Sequence, residues 1–409
     1  MAESQKPSGF EALAQETALY PQEMFAKIKK NQKSFFIGIP KEIAFQENRI
    51  CLTPEGVHLL VNNGHQIWIE SNAGKKAKFE DNEYSEAGAK IVNSVKEVYQ
   101  ADVILKIEPP TLSEIDYFKP GQTLISALQI GNQTVEYLRA ILSKKVTALA
   151  YEFIEDKVGG FPIIRAMSEI AGTAAIIIAS EYLSSVHEGK GLLLGGISGV
   201  PPAKVVIIGA GTAAEHAVRS ALGLGAEVKV FDNHLYKLRR LKHIIGSQIY
   251  TSTIDTITLA ECLKTTDVLI GALRAEKGRS SIVITEDMVM NMKPDSFIID
   301  LSIDHGGCVD TSKLTTLENP IFRKHGVIHY CVPNIASRVA RTASTALSNI
   351  FTPTILRAGE EGGINEMIFN HKWFLNGVYA YKGALTNMHI ANKFGLECRD
   401  LSLLRAARF

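Results

Sequence analysis

The sequence is poor in the features that would tie it to a special environment. Its cysteines, Cys51, Cys262, Cys308, Cys331 and Cys398, are 5 among 409 residues. The number is odd, the spacing is wide and no C-x-x-C pair occurs, which argues against a disulfide framework and against a thiolate metal site. Neither sign of charge is in excess: 44 Lys and Arg stand against 43 Asp and Glu, for a net charge of +1. Such a balance gives no reason to expect nucleic acid or an acidic membrane surface as a partner. The basic clusters, Lys27–Lys30 and Arg239-Arg240, are short. The N-terminus has no apolar signal core. The most apolar segment, Ala171–Ser180, is too short and too broken to span a bilayer. These absences point to a reduced, cytoplasmic protein that handles a small molecule, with no nucleic acid and no membrane among its partners.

At 46% hydrophobic and 21% charged residues, the chain has ample length for two domains. One stretch organises it: Lys204-Val-Val-Ile-Ile-Gly-Ala-Gly-Thr-Ala-Ala214, followed by Glu227-Val-Lys-Val-Phe-Asp232. The apolar run Val205–Ile208 reads as a buried parallel strand. Gly209 and Gly211 allow a tight turn and close approach of backbone to a phosphate, and Thr212, Ala213 and Ala214 open a helix that lies against its strand. A helix N-terminus offers free N–H groups and a positive dipole end to a pyrophosphate. Asp232 closes a second strand 23 residues after Gly209, where a carboxylate accepts from a ribose 2′-OH. Strand, turn, helix, strand and terminal acid in register predict a dinucleotide site.

Residues 1–33 form a polar extension, with Met24, Phe25 and Ile28 on one face of a short predicted helix over Pro21–Lys30. Strand-like runs then recur at Phe35–Ile39, Gln66–Glu70, Asp102–Ile107, Thr123–Leu128 and Thr147–Phe153. Helical stretches at Pro54–Asn63, Asp81–Ala89 and Thr134–Leu142 separate them. Alternation of this kind argues for a parallel sheet covered on both faces. This part lacks the glycine fingerprint and is left free to hold a substrate. A long helix is predicted over Pro162–His187, and Gly189–Pro202 connects it to the fingerprint strand. Further strands are predicted at 227–232, 267–273, 296–302 and 327–332, then a long helix at Ser337–Arg357 with Pro353 near its end, and a helical tail over Asn376–Asp400. The expected architecture is α/β: two Rossmann-like, doubly wound domains joined by long helices, with a cleft between them. Residues 34–162 together with 341–409 would make the substrate domain, and 163–340 the dinucleotide domain.

Four blocks carry a resemblance to a known family: Gly38-Ile-Pro-Lys-Glu42 with Glu47-Asn-Arg-Ile-Cys-Leu-Thr-Pro54; Met167-Ser-Glu-Ile-Ala-Gly172; Gly195–Ala213; and Asp300-Leu-Ser-Ile-Asp-His-Gly-Gly-Cys308 with Tyr330-Cys-Val-Pro-Asn334. Through them the chain resembles the alanine dehydrogenase/pyridine nucleotide transhydrogenase family over roughly residues 34–409. The resemblance implies two Rossmann-like domains, the first completed by a C-terminal return, and a homo-oligomer, dimer or hexamer. It places Gly209 and Gly211 at the pyrophosphate, Ser168 near the bound dinucleotide, Asp232 on the adenosine ribose and Lys237 at the adenosine end. Asn334 would line the nicotinamide end. The Asp232 carboxylate, with no arginine immediately after it, favours NAD over NADP.

Alanine dehydrogenases convert L-alanine, NAD and water to pyruvate, ammonium and NADH. That chemistry asks for a cation on the carboxylate, a group that polarises the carbonyl and an acid/base pair near the reacting carbon. By the resemblance, Arg49 binds the substrate carboxylate, for which its planar fork is suited. An arginine at such a place also pairs readily with an acid such as Glu42 or Glu47. Asp304 follows the strand Phe297–Ser302 and is expected to orient or deprotonate the reacting water or amine; capping the Gly306-Gly307 turn is its simpler role. Two positions depart from the dehydrogenase pattern. The family's carbonyl-polarising lysine is Glu108 here, with Lys106 on the same face by strand alternation. The catalytic histidine is Gln129, which cannot act as a base near neutral pH and which transhydrogenase domains carry at this point. The reading is an NAD-dependent dehydrogenase of a small L-amino acid. Beside it stand a transhydrogenase-type domain passing hydride to an NADP-binding partner and an NAD-binding protein without turnover.

Overall fold

A computed structural model describes residues 33–156, 159–274, 280–401 and 403. The short helix expected over Pro21–Lys30 lies outside the described residues. The first half alternates β1 (Phe36–Ile39), α1 (Pro54–Asn62), β2 (Gln66–Glu70), α2 (Asp81–Glu86), β3 (Lys90–Val92), α3 (Val95–Val98), β4 (Val103–Leu105), α4 (Leu112–Ile115), β5 (Thr123–Ser126), α5 (Val135–Ser143) and β6 (Thr147–Ala150). The second half continues with α6 (Pro162–Tyr182), β7 (Lys204–Ile208), α7 (Thr212–Gly223), β8 (Glu227–Phe231), α8 (Leu235–Ile245), β9 (Tyr250–Ser252), α9 (Thr256–Leu263), β10 (Val268–Gly271), α10 (Glu286–Met290), β11 (Phe297–Asp300), β12 (Ile321–Lys324) and β13 (Val327–Tyr330). The chain closes with α11 (Ala340–Glu360), α12 (Ile364–Asn370), α13 (Lys372–Leu375), β14 (Val378–Tyr381), β15 (Ala384–Leu385) and α14 (Met388–Phe394).

Across the first sheet the order is β15-β14-β6-β5-β4-β1-β2-β3, and across the second β12-β13-β11-β10-β7-β8-β9. Within each sheet the first three strands run outward one way and the next return on the other side of the first. That is the doubly wound α/β arrangement. All pairings are parallel except at the β12/β13, β14/β15 and β14/β6 edges. The central strands are covered on both faces, which is why they read as unbroken apolar runs: Val205, Ile207, Val268 and Ile270 face one core, Val206, Ile208 and Leu269 the other.

Two long helices join the halves. In α6, Ile163 and Met167 pack in the core of the first sheet, and Ala174–Leu183 in that of the second. By length and composition this helix is apolar enough to cross a bilayer, more so than the shorter segment within it suggests. Packing against the two cores accounts for part of that composition, while Ile177 stays exposed. The helix stops at Tyr182, and Ser185–His187 forms a separate 3₁₀ turn, so the predicted helix over 162–187 is shorter than expected. At the other end, α11 begins at Ala340 after a 3₁₀ turn over Ile335–Val339, and it continues through Pro353 to Glu360.

The tail departs from expectation. Instead of a helix over 376–400, β14 and β15 form a hairpin on the edge of the first sheet, β14 antiparallel to β6, before α14. Lys382 and Gly383 both have positive φ, 49° and 83°, as a two-residue hairpin turn requires. The aromatic and apolar run Val378-Tyr-Ala-Tyr381 suits a strand better than a helix.

Candidate functional site

Ligands of doubly wound sheets bind beyond the carboxyl ends of the strands, where the winding reverses. In the second sheet that point lies between β7 and β10. Gly209 leaves β7 with φ 108°, and a Cβ there would stand 2.5 Å from the Ala272 carbonyl oxygen that follows β10. Only glycine meets both demands. Gly211 is the N-cap of α7 and differs: its φ is −79°, and a Cβ there would meet nothing within 4 Å. No side chain caps α7, so the N–H groups of Thr212 and Ala213 in its first turn are available to an anion. The residues therefore fit a pyrophosphate. Asp232, 3% exposed, follows β8 and holds the turn in shape: Oδ2 accepts from Ala210 N at 2.7 Å and Oδ1 from His234 N at 2.7 Å. A carboxylate retains lone pairs for a further donor. Lys237 lies in the first turn of α8, which follows Asp232 in the chain.

Helix α6 is pressed against this turn. A Cβ on Gly172 would stand 2.0 Å from the Ala213 carbonyl oxygen. Ser168, one turn earlier, shares that face, and Met167 beside it touches Arg49 Nη1 through Sδ at 3.4 Å. One helix thus places Ser168 near the fingerprint and Met167 at the opposite wall.

That wall is the switch point of the first sheet, between β1 and β4. Arg49 lies in the segment after β1 and is buried. Glu47 grips it twice, Nε to Oε1 at 2.8 Å and Nη2 to Oε2 at 2.5 Å. Burial raises the cost of the Glu47 charge, but Arg49 outweighs it and holds the Glu47 carboxyl below the usual range. Glu108, beyond β4, reaches Arg49 Nη2 only at 3.5 Å. Its other oxygen accepts from Gln129 Nε2, so the residues at both unusual positions touch each other. Burial and the neighbouring Glu47 push the Glu108 carboxyl up to about 8, against the pull of Arg49. Gln129 stands in the left-handed region at φ 49°. Its backbone N–H and that of Leu128 donate to Glu152 Oε1 at 2.9 and 2.8 Å.

Lys106 requires a correction. It is 1% exposed, with Nζ 2.9 Å from Glu114 and 3.3 Å from Glu42. Its ion pairs are with Glu42 and Glu114, and none joins it to Glu108 among the described residues. Burial works against its charge and the two neighbouring carboxylates hold it, so it is a paired cation and not a free one.

Asp304 sits in a 3₁₀ turn after β11, with Asp300 as the anchor of that loop. Asp300 accepts from Ser302 N, Cys308 N, Val309 N and Ser312 Oγ at 3.0, 2.9, 3.2 and 2.8 Å. Asp304 Oδ1 accepts from Asn334 N at 3.1 Å. Desolvation by its surroundings raises the Asp304 carboxyl, opposed by that N–H and by the charges of His305 and Arg49. Asn334, itself left-handed at φ 52°, donates from Nδ2 to Glu47 Oε2 at 2.8 Å. Ser337 extends the seam, donating to Gln46 O at 2.6 Å and accepting from Asn48 N at 2.9 Å. The loops after β1 and after β13 are thereby stitched across the cleft. Arg49, Glu108, Gln129, Asp304 and Asn334 come together; Lys106 does not. Glu47, named in the sequence only as a counter-charge, proves to be the hub.

Known proteins resemble the chain over most of its length. The family described as alanine dehydrogenase/PNT, N-terminal domain, matches residues 38–171, and its C-terminal domain matches residues 175–388. Alanine dehydrogenase 2 of Staphylococcus aureus strain USA300 is 38% identical over 366 residues, covering 89% of this chain and 98% of the relative. A solved L-alanine dehydrogenase superposes with a TM-score of 0.82 at 32% identity, over 87% of this chain and 98% of that one. A transhydrogenase from Sinorhizobium meliloti superposes with a TM-score of 0.73 at 24% identity, over 85% and 98%, a likeness of fold.

Proposed function

The chain belongs to the alanine dehydrogenase/PNT family, and on that premise we propose that it is an NAD-dependent dehydrogenase of a small L-amino acid, with alanine the first substrate to test. The products would be the 2-oxo acid, ammonium and NADH. The observation that supports this most is the joining of two switch points: the fingerprint turn of one sheet and the Arg49 cluster of the other meet through α6 and through Asn334. In this reading residues 34–162 with 341–409 form the substrate half and 163–340 the cofactor half.

When bound, the nicotinamide would accept the hydride. The chain's own residues bind and orient. Gly209, Gly211, Thr212 and Ala213 would take the pyrophosphate, Asp232 the adenosine ribose and Lys237 the adenosine end, with Ser168 near the dinucleotide and Asn334 at the nicotinamide. A carboxylate at the ribose, followed by Asn233 rather than an arginine, disfavours a 2′-phosphate. Arg49 would hold the substrate carboxylate through Nη1, which donates to the Met167 sulfur, a weak acceptor. Asp304 would orient the water or amine.

The experiment is an absorbance assay for NADH with NAD or NADP and a panel of L-amino acids. Turnover with alanine and NAD that vanishes in Arg49→Ala is the expected result. Tight NADH binding without turnover on any amino acid would sink the reading. A second reading rests on Gln129, the residue that transhydrogenase domains carry at this point. In it, hydride passes to an NADP-binding partner, and exchange between NADH and an NADP analogue with a supplied partner tests it.

A further inference from the structure

We propose that Glu108 is the residue that exchanges a proton with the substrate nitrogen, and that Gln129 is the positioning residue that aims it. The inference rests on the dehydrogenase reading and assigns within that site a role left vacant by the glutamine at position 129.

The geometry singles out Glu108 by what its neighbours already do. Arg49 is neutralised by Glu47, at 2.8 and 2.5 Å, while Glu108 stays at 3.5 Å. Lys106 is satisfied by Glu114 and Glu42. Glu108 is therefore the second carboxyl beside a guanidinium whose Nε and Nη2 Glu47 already holds, and its own side chain hydrogen-bonds Glu47. Its side chain keeps 14% of its surface exposed, against 1% for Glu47, so a small ligand can reach it. Gln129 holds one of its oxygens with an amide that does not titrate, and Glu152 in turn fixes the Gln129 backbone. A proton on Glu108 is shared with the Glu47 carboxylate, beside the place proposed for the substrate carboxylate, and that proton is the one exchanged.

The charged and titratable groups around Glu108 are Arg49 and Glu47 from the segment after β1, Glu42 from the end of that strand and Tyr151 from the end of β6. Two carboxyls beside one guanidinium do not both ionise cheaply. Glu47, with the shorter bonds and Asn334 as well, is the anion, and Glu108 is left with an acidity of about 8. A group poised there is suited to general acid–base work near neutral pH. In the deamination direction the Glu108 carboxylate takes one proton from the substrate ammonium. An O–H bond forms on Glu108 as an N–H bond breaks, and the nitrogen keeps the electron pair. In the reverse direction the acid returns the proton, so the step involves no oxidation or reduction on Glu108.

The test uses the full chain with NADH bound. Infrared pH titration of the wild type should show a carboxylic acid C=O band that disappears with a midpoint of about 8 and is missing in Glu108→Gln. Gln129→Ala should keep the band and move its midpoint. In turnover, Glu108→Gln should lose about a hundredfold or more in kcat, with KM little changed, and lose the wild-type pH dependence. Glu108→Asp, which keeps the carboxyl, should retain that dependence at lower rate. Turnover of Glu108→Gln with the wild-type pH profile would overturn this role and leave the dehydrogenase reading standing. So would a carboxyl band that titrates in the ordinary carboxylate range. A chain without turnover on any amino acid would sink both.

Discussion

At the scale of single residues, the cleft is a problem of too many carboxylates. Arg49 is buried and its charge depends on Glu47; the converse is equally true. Removing one member of such a pair leaves the other charged and desolvated, at a cost of about 3–5 kcal/mol. Arg49→Ala should therefore lose stability of that order, read as a lower urea midpoint at unchanged m, besides losing substrate. A variant as stable as the wild type would mean that Glu47 finds another partner or a proton. Glu108 makes a second prediction. Its carboxyl titrates at about 8 in the folded protein against 4.5 ordinarily. The raised value means that the folded state holds the proton more tightly than the unfolded chain. The associated stability is full below 4.5 and is lost as pH rises toward about 8. Glu108→Gln cannot titrate, so its denaturation midpoint should gain on that of the wild type across this window. Parallel midpoint curves for the two proteins would show that Glu108 ionises normally.

At the scale of elements, the two glycines of the fingerprint separate architecture from binding. Gly209→Ala must place a Cβ at positive φ against a carbonyl oxygen, a strain of about 1–3 kcal/mol in stability. Gly211→Ala has open space and an ordinary φ, so its stability should stay within about 0.5 kcal/mol of the wild type. Its NADH affinity, read by fluorescence titration, should nevertheless fall about tenfold, or 1.4 kcal/mol. Unchanged affinity in Gly211→Ala would mean that the dinucleotide does not approach that turn. The fingerprint was legible because local needs are written locally: a strand buried on two faces, a forced positive φ, a helix start and an acid at the next strand end. Other elements were not. The ends of β4, β5 and β6 come earlier than the sequence suggests, since Ile107, Leu128 and Phe153 continue an apolar pattern after the chain has left the sheet. The hairpin of β14 and β15 depends on an edge offered by β6, more than two hundred residues earlier. No periodicity within the tail records that partner.

At the scale of the whole molecule, the deciding contacts join segments far apart in the chain. Glu47 and Asn334 are separated by 287 positions, and Asn48 and Ser337 by 289. Glu47, Asn48 and Asn334 lie in separate blocks of the sequence and Ser337 at the start of a predicted helix, but their meeting is a property of the fold. Through them, Asn334 touches Glu47 with its side chain and Asp304 with its backbone N–H. A ligand that orders one side of the cleft therefore biases the other, and such coupling must be reciprocal. In the proposed enzyme, NADH and the 2-oxo acid should each tighten the other's binding. Asn334→Ala removes the side-chain link to Glu47 while keeping the backbone N–H on Asp304. The left-handed φ of Asn334 makes some loss of stability unavoidable in this variant, so the readout is a ratio. Pyruvate affinity is measured with and without NADH in both proteins. The wild type should show a coupling of about 1–3 kcal/mol, and the variant should lose most of it while NADH alone binds with little change. If the ratio survives in Asn334→Ala, the seam between Glu47 and Asn334 does not carry the coupling, and α6, which touches both walls, becomes the element to test.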